Sequence, residues 1–174
     1  THCISSAASD VYKRQMLYRM FYECISLERV ELGNTKNIGS EAFWGCSALK
    51  RIELSDGLTT IDASAFKGAG LVSIDIPSSV SSIGGDAFQG CPLETVVIRG
   101  YIATIGIRVF YKCTALVSFI MLSSTPMAYS YYLLQGTTCD IYVPDDSVDA
   151  YKSTAGWSDL SSRIKPLSSY TKDY

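Results

Sequence analysis

The phenylalanines Phe21, Phe43, Phe66, Phe88 and Phe110 stand 22, 23, 22 and 22 residues apart. So short a period constrains the fold more than any other feature. A unit of this size cannot enclose its own apolar face and must lean on copies of itself. Five residues before each phenylalanine stands Met16, Ile38, Ile61, Ile83 or Ile105, and five or six after it comes Leu27, Leu49, Leu71, Leu93 or Leu116. Each leucine opens an L-x-x-h-x-h segment (h, hydrophobic), as in Leu49/Ile52/Leu54 and Leu93/Val96/Ile98. Period-two alternation is the mark of a strand with one face buried. The expected product is a curved α/β repeat solenoid, with one parallel strand per repeat on the concave side. Ile-Gly-x-x-Ala-Phe, as at Ile83–Phe88, is expected to form one short helical turn on the convex wall.

Asp140-Ile141-Tyr142-Val143-Pro144 mirrors Ser73-Ile74-Asp75-Ile76-Pro77, and Leu134-Gln135-Gly136 takes the place of Phe88-Gln89-Gly90. This predicts a degenerate sixth repeat. Beyond Pro144 the spacing of Val148, Tyr151 and Ala155 is helical, acids Asp145, Asp146 and Asp149 crowd its first turn, and Gly156 offers a stop. Trp157, Leu160 and Ile164 extend an apolar stripe. The sequence therefore divides into a solenoid over 16–144, a helical C-terminal cap over 145–167 and a tail over 168–174.

The unit L-x-x-I-x-I-P-x-x-V-x-x-I-G-x-x-A-F-x-G-C, read best from Leu71 to Cys91, resembles the BspA-like bacterial surface leucine-rich repeat family. Ile141–Pro144 with Val148, Ala150-Tyr151-Lys152, Trp157 and Arg163-Ile164 is similar to the terminal segment of such proteins from gut and oral Bacteroidetes. Similar repeats also occur in parasitic protists. The resemblance spans about Met16 to Leu167. It implies a leucine-rich repeat fold, a secreted or cell-surface setting, sometimes an adhesin role toward host proteins, and no defined catalytic site.

Thr1–Gln15 lacks the period and an initiating Met, and its Ser6–Gln15 run looks like translated sequencing-adapter read-through at the edge of a metagenomic assembly. The expectation is a non-native leader, with a secretory signal and further repeats lost ahead of Met16. A genomic locus encoding the same fifteen residues in frame would refute it.

Fifteen Lys+Arg against seventeen Asp+Glu leave a formal charge of −2, which gives no electrostatic footprint for nucleic acid. No run of eighteen apolar residues exists, so no membrane-spanning helix is expected. The single histidine, His2, lies in the suspect leader, which removes triad and zinc-protease chemistry together. No glycine arrangement forms a phosphate cradle, and no cofactor or metal is expected. Cys24, Cys46, Cys91 and Cys113 share one slot three residues after the phenylalanine, where the third repeat holds Ala69. A slot that accepts Ala is a small buried pocket, so these thiols are expected to be reduced packing residues. Cys139 stands outside the slot and is left open to a disulfide.

Side chains that alternate with the buried ones must point outward. One outward ladder reads Glu31, Glu53, Asp75, Val97, Ile120, Tyr142; the next reads Arg29, Arg51, Ser73, Thr95, Ser118, Asp140; the third ends in Arg99, Leu122 and Pro144. Val97, Arg99, Ile120, Leu122 and Tyr142 are the expected contacts for a protein or glycan ligand, with Arg29, Glu31, Arg51 and Glu53 as a polar rim. Either the apolar end is open for binding, or Met127, Tyr129, Tyr131 and Tyr132 of the 126–138 loop fold over it. The functional expectation is a non-enzymatic binding module; the alternative is a spacer array that projects another domain.

Overall fold

The computed structural model describes residues 15–16 and 18–171. The leader reading falls outside the described residues, apart from Gln15.

The solenoid carries two parallel five-stranded sheets. The concave sheet is built from β4 (Ser73–Ile76), β6 (Thr95–Ile98), β8 (Ser118–Met121) and β9 (Asp140–Val143), extended by β10 (Ile164–Pro166), in the order β10-β9-β8-β6-β4. The second sheet joins two-residue strands β1 (Gln15–Met16), β2 (Asn37–Ile38), β3 (Thr60–Ile61), β5 (Ser82–Ile83) and β7 (Thr104–Ile105). It brings Met16, Ile38, Ile61, Ile83 and Ile105 into one row. The parallel solenoid expected from the period is therefore present. The first two repeats depart from it locally, since their concave segments make a single parallel bridge, Glu31 to Glu53, in place of full strands.

The convex segments also take a different form from the helical turns expected. Each is an irregular turn with two residues at positive φ, such as Glu41 (58°) with Gly45 (69°), or Asp86 (57°) with Gly90 (70°). Glycine adopts this region freely, whereas a residue with a Cβ does so at a cost. What holds the turn is its neighbour. The N–H groups of Glu41, Phe43 and Gly45 donate to the carbonyls of Ala63, Ala65 and Lys67, at 3.1, 2.7 and 2.9 Å. The same three bonds recur on every coil described, ending with Arg108, Phe110 and Lys112 donating to Tyr131, Leu133 and Gln135. A helix would satisfy its donors internally and leave the next coil without partners. Gly84 serves close approach, because a Cβ there would lie 2.3 Å from the backbone nitrogen of Ala63.

The five phenylalanines form a continuous stack, with centroids 5.1–5.3 Å apart and interplanar angles of 3–14°. Phe119 closes it edge-on to Phe110 at 75°. Each full turn of the stack is buried, and only the terminal Phe21 shows 9% exposure. In the degenerate repeat Leu134 fills the phenylalanine slot and Gly136 repeats the positive φ.

The cap contains a short helix, α1 (Val148–Ser153), followed by a 3-10 segment, Ser158–Arg163. Ile164 does not continue a helical stripe as expected. It opens β10, which pairs with β9 and covers the edge that the repeats leave open. Tyr151 and Trp157 are fully buried in the cap. The Tyr151 hydroxyl donates to the Ser123 carbonyl at 2.9 Å and the Trp157 indole to that of Met127 at 2.8 Å, which ties down the segment between β8 and β9.

Candidate functional site

The outward ladders are in the register that the period requires. Asp75, Val97, Ile120 and Tyr142 pair successively, as do Ser73, Thr95, Ser118 and Asp140, and Glu31 pairs with Glu53. The side chains on these ladders meet two different fates.

At the C-terminal end the sheet is largely covered. Strand β8 is buried on both faces, and Ile120 is only 5% exposed. It is a correction to the expected contact set, because a side chain already removed from water has little surface to give a partner. Val97, Leu122 and Tyr142 are half-buried. Tyr142 is met edge-on by Tyr170, with ring centroids 4.8 Å apart, and desolvation raises its hydroxyl above the ordinary tyrosine value. The docking of Tyr170 is reinforced by the Ser168 N–H, which donates to Asp145 at 2.9 Å, and by Lys165, which pairs with Asp140 at 2.6 Å. Hydrogen bonding to Ser168 holds the Asp145 carboxyl below its ordinary value.

The 126–138 loop takes another route. Met127 enters the core, Tyr129 packs edge-on to Trp157 at 5.1 Å, and Tyr131 and Tyr132 remain exposed beside Tyr111 on the convex turns. Cover over Tyr142 comes from the C-terminal tail, which has no place in the repeat.

At the N-terminal end the face is open. A groove of about 940 Å³ is lined by Glu28, Arg29, Glu31, Lys50, Arg51, Glu53 and Asp56, with Val30, Leu32, Ile52 and Leu54 among the residues of its floor and walls. The side chains of Arg29 and Glu31 are 83% and 85% exposed and approach each other only to 3.8 Å. Two rungs beyond Glu31, Asp75 is clamped by Arg99, which donates from two guanidinium nitrogens, each at 2.7 Å. Arg51 and Glu53, between these pairs, make no ion pair among the described residues. Glu28, Lys50 and Asp56 were missed by ladder reasoning because they lie off the strict alternation. The local charge density of Glu28-Arg29 and Lys50-Arg51 was the available signal.

The thiols are packing groups. Cys46, Cys91 and Cys113 donate to the carbonyls of Phe21, Phe66 and Phe88 at 3.1, 2.9 and 3.1 Å. Burial pushes the Cys113 thiol up to about 12 and raises Cys91 further. Cys139 is a buried free thiol with the Arg163 guanidinium 3.0 Å away, yet desolvation outweighs that cation and its pKa is also raised. Among the described residues no three His, Cys, Asp or Glu come together to hold a metal, and no helix is long and apolar enough to cross a membrane.

The model of the BspA type leucine-rich repeat region matches residues 14–138 in six copies. Among solved structures, the chain is similar to the T. pallidum leucine-rich repeat protein at 27% identity and a TM-score of 0.61, over 81% of this chain and 76% of that one. It is also similar to a leucine-rich repeat protein from Bacteroides ovatus ATCC 8483, at 25% identity and a TM-score of 0.52. That match covers 74% of this chain and 46% of the other, so it takes in less than half of the longer protein. No curated protein matches.

Proposed function

The chain belongs to the BspA-type leucine-rich repeat family, and from that premise we propose that it is a non-enzymatic binding module of a secreted or surface-displayed bacterial protein, engaging a protein or glycan through its concave face. The observation that carries this reading is the open charged groove over the first two repeats. Coils stacked in register, here through the Glu31–Glu53 bridge, hold outward side chains in rows, and such rows on a solenoid's inner wall are a common binding surface. Arg29, Glu31, Arg51 and Glu53 become the principal contacts, with Val97, Arg99, Leu122 and Tyr142 at the margin. The reading as a non-enzyme is supported by membership of a leucine-rich repeat family. Surface display remains part of the proposal, supported by family membership.

The test is to measure binding of the full chain to host matrix proteins and to a glycan array, beside the Arg51→Gln/Glu53→Gln variant. Binding that falls in the variant, with an unchanged melting curve, supports the module; a bound partner indifferent to the groove variant removes the concave face from the function. A spacer array is the second reading, favoured by the purely neighbour-to-neighbour hydrogen bonding of the coils. It requires that groove variants be silent in every binding assay while stack variants alter the extension of the full-length protein.

A further inference from the structure

We infer that the groove's occupant is an extended polypeptide segment carrying a basic and an acidic side chain two residues apart, a choice that rests on the binding-module reading and narrows it to one partner class. The argument begins with the spacing of charge. Glu31 and Glu53 sit on adjacent rungs joined by a parallel bridge, which places their backbones about 4.8 Å apart. Arg29 and Arg51 lie two residues earlier on the same rungs, so on an extended segment the basic and acidic tracks run about 6.6–6.8 Å apart. Residues i and i+2 of an extended peptide share a face and have that same separation. A segment laid along a rung therefore presents an acid to Arg51 and a base to Glu53 at once.

The neighbouring rungs define where this is possible. Asp75 is already neutralised by the two-pronged Arg99, and the Arg29–Glu31 contact is long and solvated. Arg51 and Glu53 have no ion-pair partner among the described residues and are the groups left to pair across an interface.

Other partner classes fit less well. A neutral sugar would strip water from both tracks without returning an opposite charge, and a charge desolvated without a partner opposes binding. A polymer of one sign would satisfy one track and repel the other. A polypeptide places ammonium or guanidinium and carboxylate groups within one short span.

The experiment titrates the full chain with fluorescently labelled synthetic peptides of equal length in three patterns, Lys-x-Glu, Lys-x-Lys and Glu-x-Glu with threonine between, and with a neutral oligosaccharide. The mixed peptide is expected to bind at least about tenfold more tightly than the other three probes at low salt. Arg51→Gln/Glu53→Gln is expected to abolish that preference while leaving the melting curve in place. Equal binding of a single-sign peptide, tighter binding of the oligosaccharide, or no binding of the mixed peptide would each overturn the inference. A partner captured through the groove in the preceding assay, with no preference for the mixed peptide, would sink this inference and leave the binding module standing.

Discussion

The two ends of the concave face share a backbone plan and differ in what surrounds it. Repeats one and two project Arg29, Glu31, Arg51 and Glu53 from segments held by one isolated bridge. Strands β6, β8 and β9 are regular, project Val97, Ile120 and Tyr142, and end against a cap whose tail reaches back to Tyr142. The ladder chemistry pointed to the apolar end as the binding surface and to the charged end as its rim. In the structure Ile120 at the apolar end is buried, whereas Arg29 and Glu31 at the charged end stay exposed. Apolar side chains on a sheet face are the ones that gain most from being covered, and at Tyr142 the tail supplies the cover through Tyr170. Charged side chains lose hydration when covered, so the charged end stays open.

Substitutions in the stack should test this contrast most strongly. Phe88→Ala removes a fully buried ring between two stacked neighbours and should cost about 3–5 kcal/mol in urea unfolding. Phe21→Ala, on the first coil of the stack and with one phenylalanine neighbour, should cost measurably less. Equal losses would show that the first coil is packed as well as the interior of the stack.

The thiol slot gives a pH-dependent contrast. In the folded state Cys113 titrates at about 12 against an ordinary value of 9.0, so it keeps its proton where the unfolded chain has lost it. Its contribution is complete below about pH 9 and is lost as pH rises toward 12, with a slope of up to about 1.4 kcal/mol per pH unit for one proton. Cys113→Ala should flatten the alkaline limb of the stability curve. A limb unchanged by that substitution would remove the thiol from its origin.

Smaller effects distinguish the two surfaces themselves. Tyr170→Ala should cost about 0.5–1.5 kcal/mol through the lost ring pair and should increase the accessibility of Tyr142 to nitration. Glu53→Ala should leave stability within about 0.5 kcal/mol. A large loss at Glu53 would mean that the open end is structural.

Much of this molecule was legible in one dimension. The phenylalanine interval dictated the stack, and counting 22 residues from Asp75 led to Val97 and from Ile120 to Tyr142, because parallel coils of fixed length can pair in register. Cys46, Cys91 and Cys113 were readable as packing groups from one slot that also takes Ala69. The two-residue strands were not legible: Asn37-Ile38 and Thr60-Ile61 are too short for a period to appear. Nor were the turns, whose shape comes from bonds to the next coil more than from local propensity. Ile120 was misplaced because alternation tells which face a side chain occupies and is silent on what lies over that face.

The sequence by itself determined the repeating unit, its register and the identity of every side chain on the inner wall, since each follows from period and alternation within the chain. Only the tertiary structure decided which end of that wall stays open. At Tyr142 that choice depends on a non-periodic tail that brings Tyr170 against its ring, a contact between segments with no common pattern, stabilised by desolvation and ring packing that exist only once the solenoid and its cap are in place.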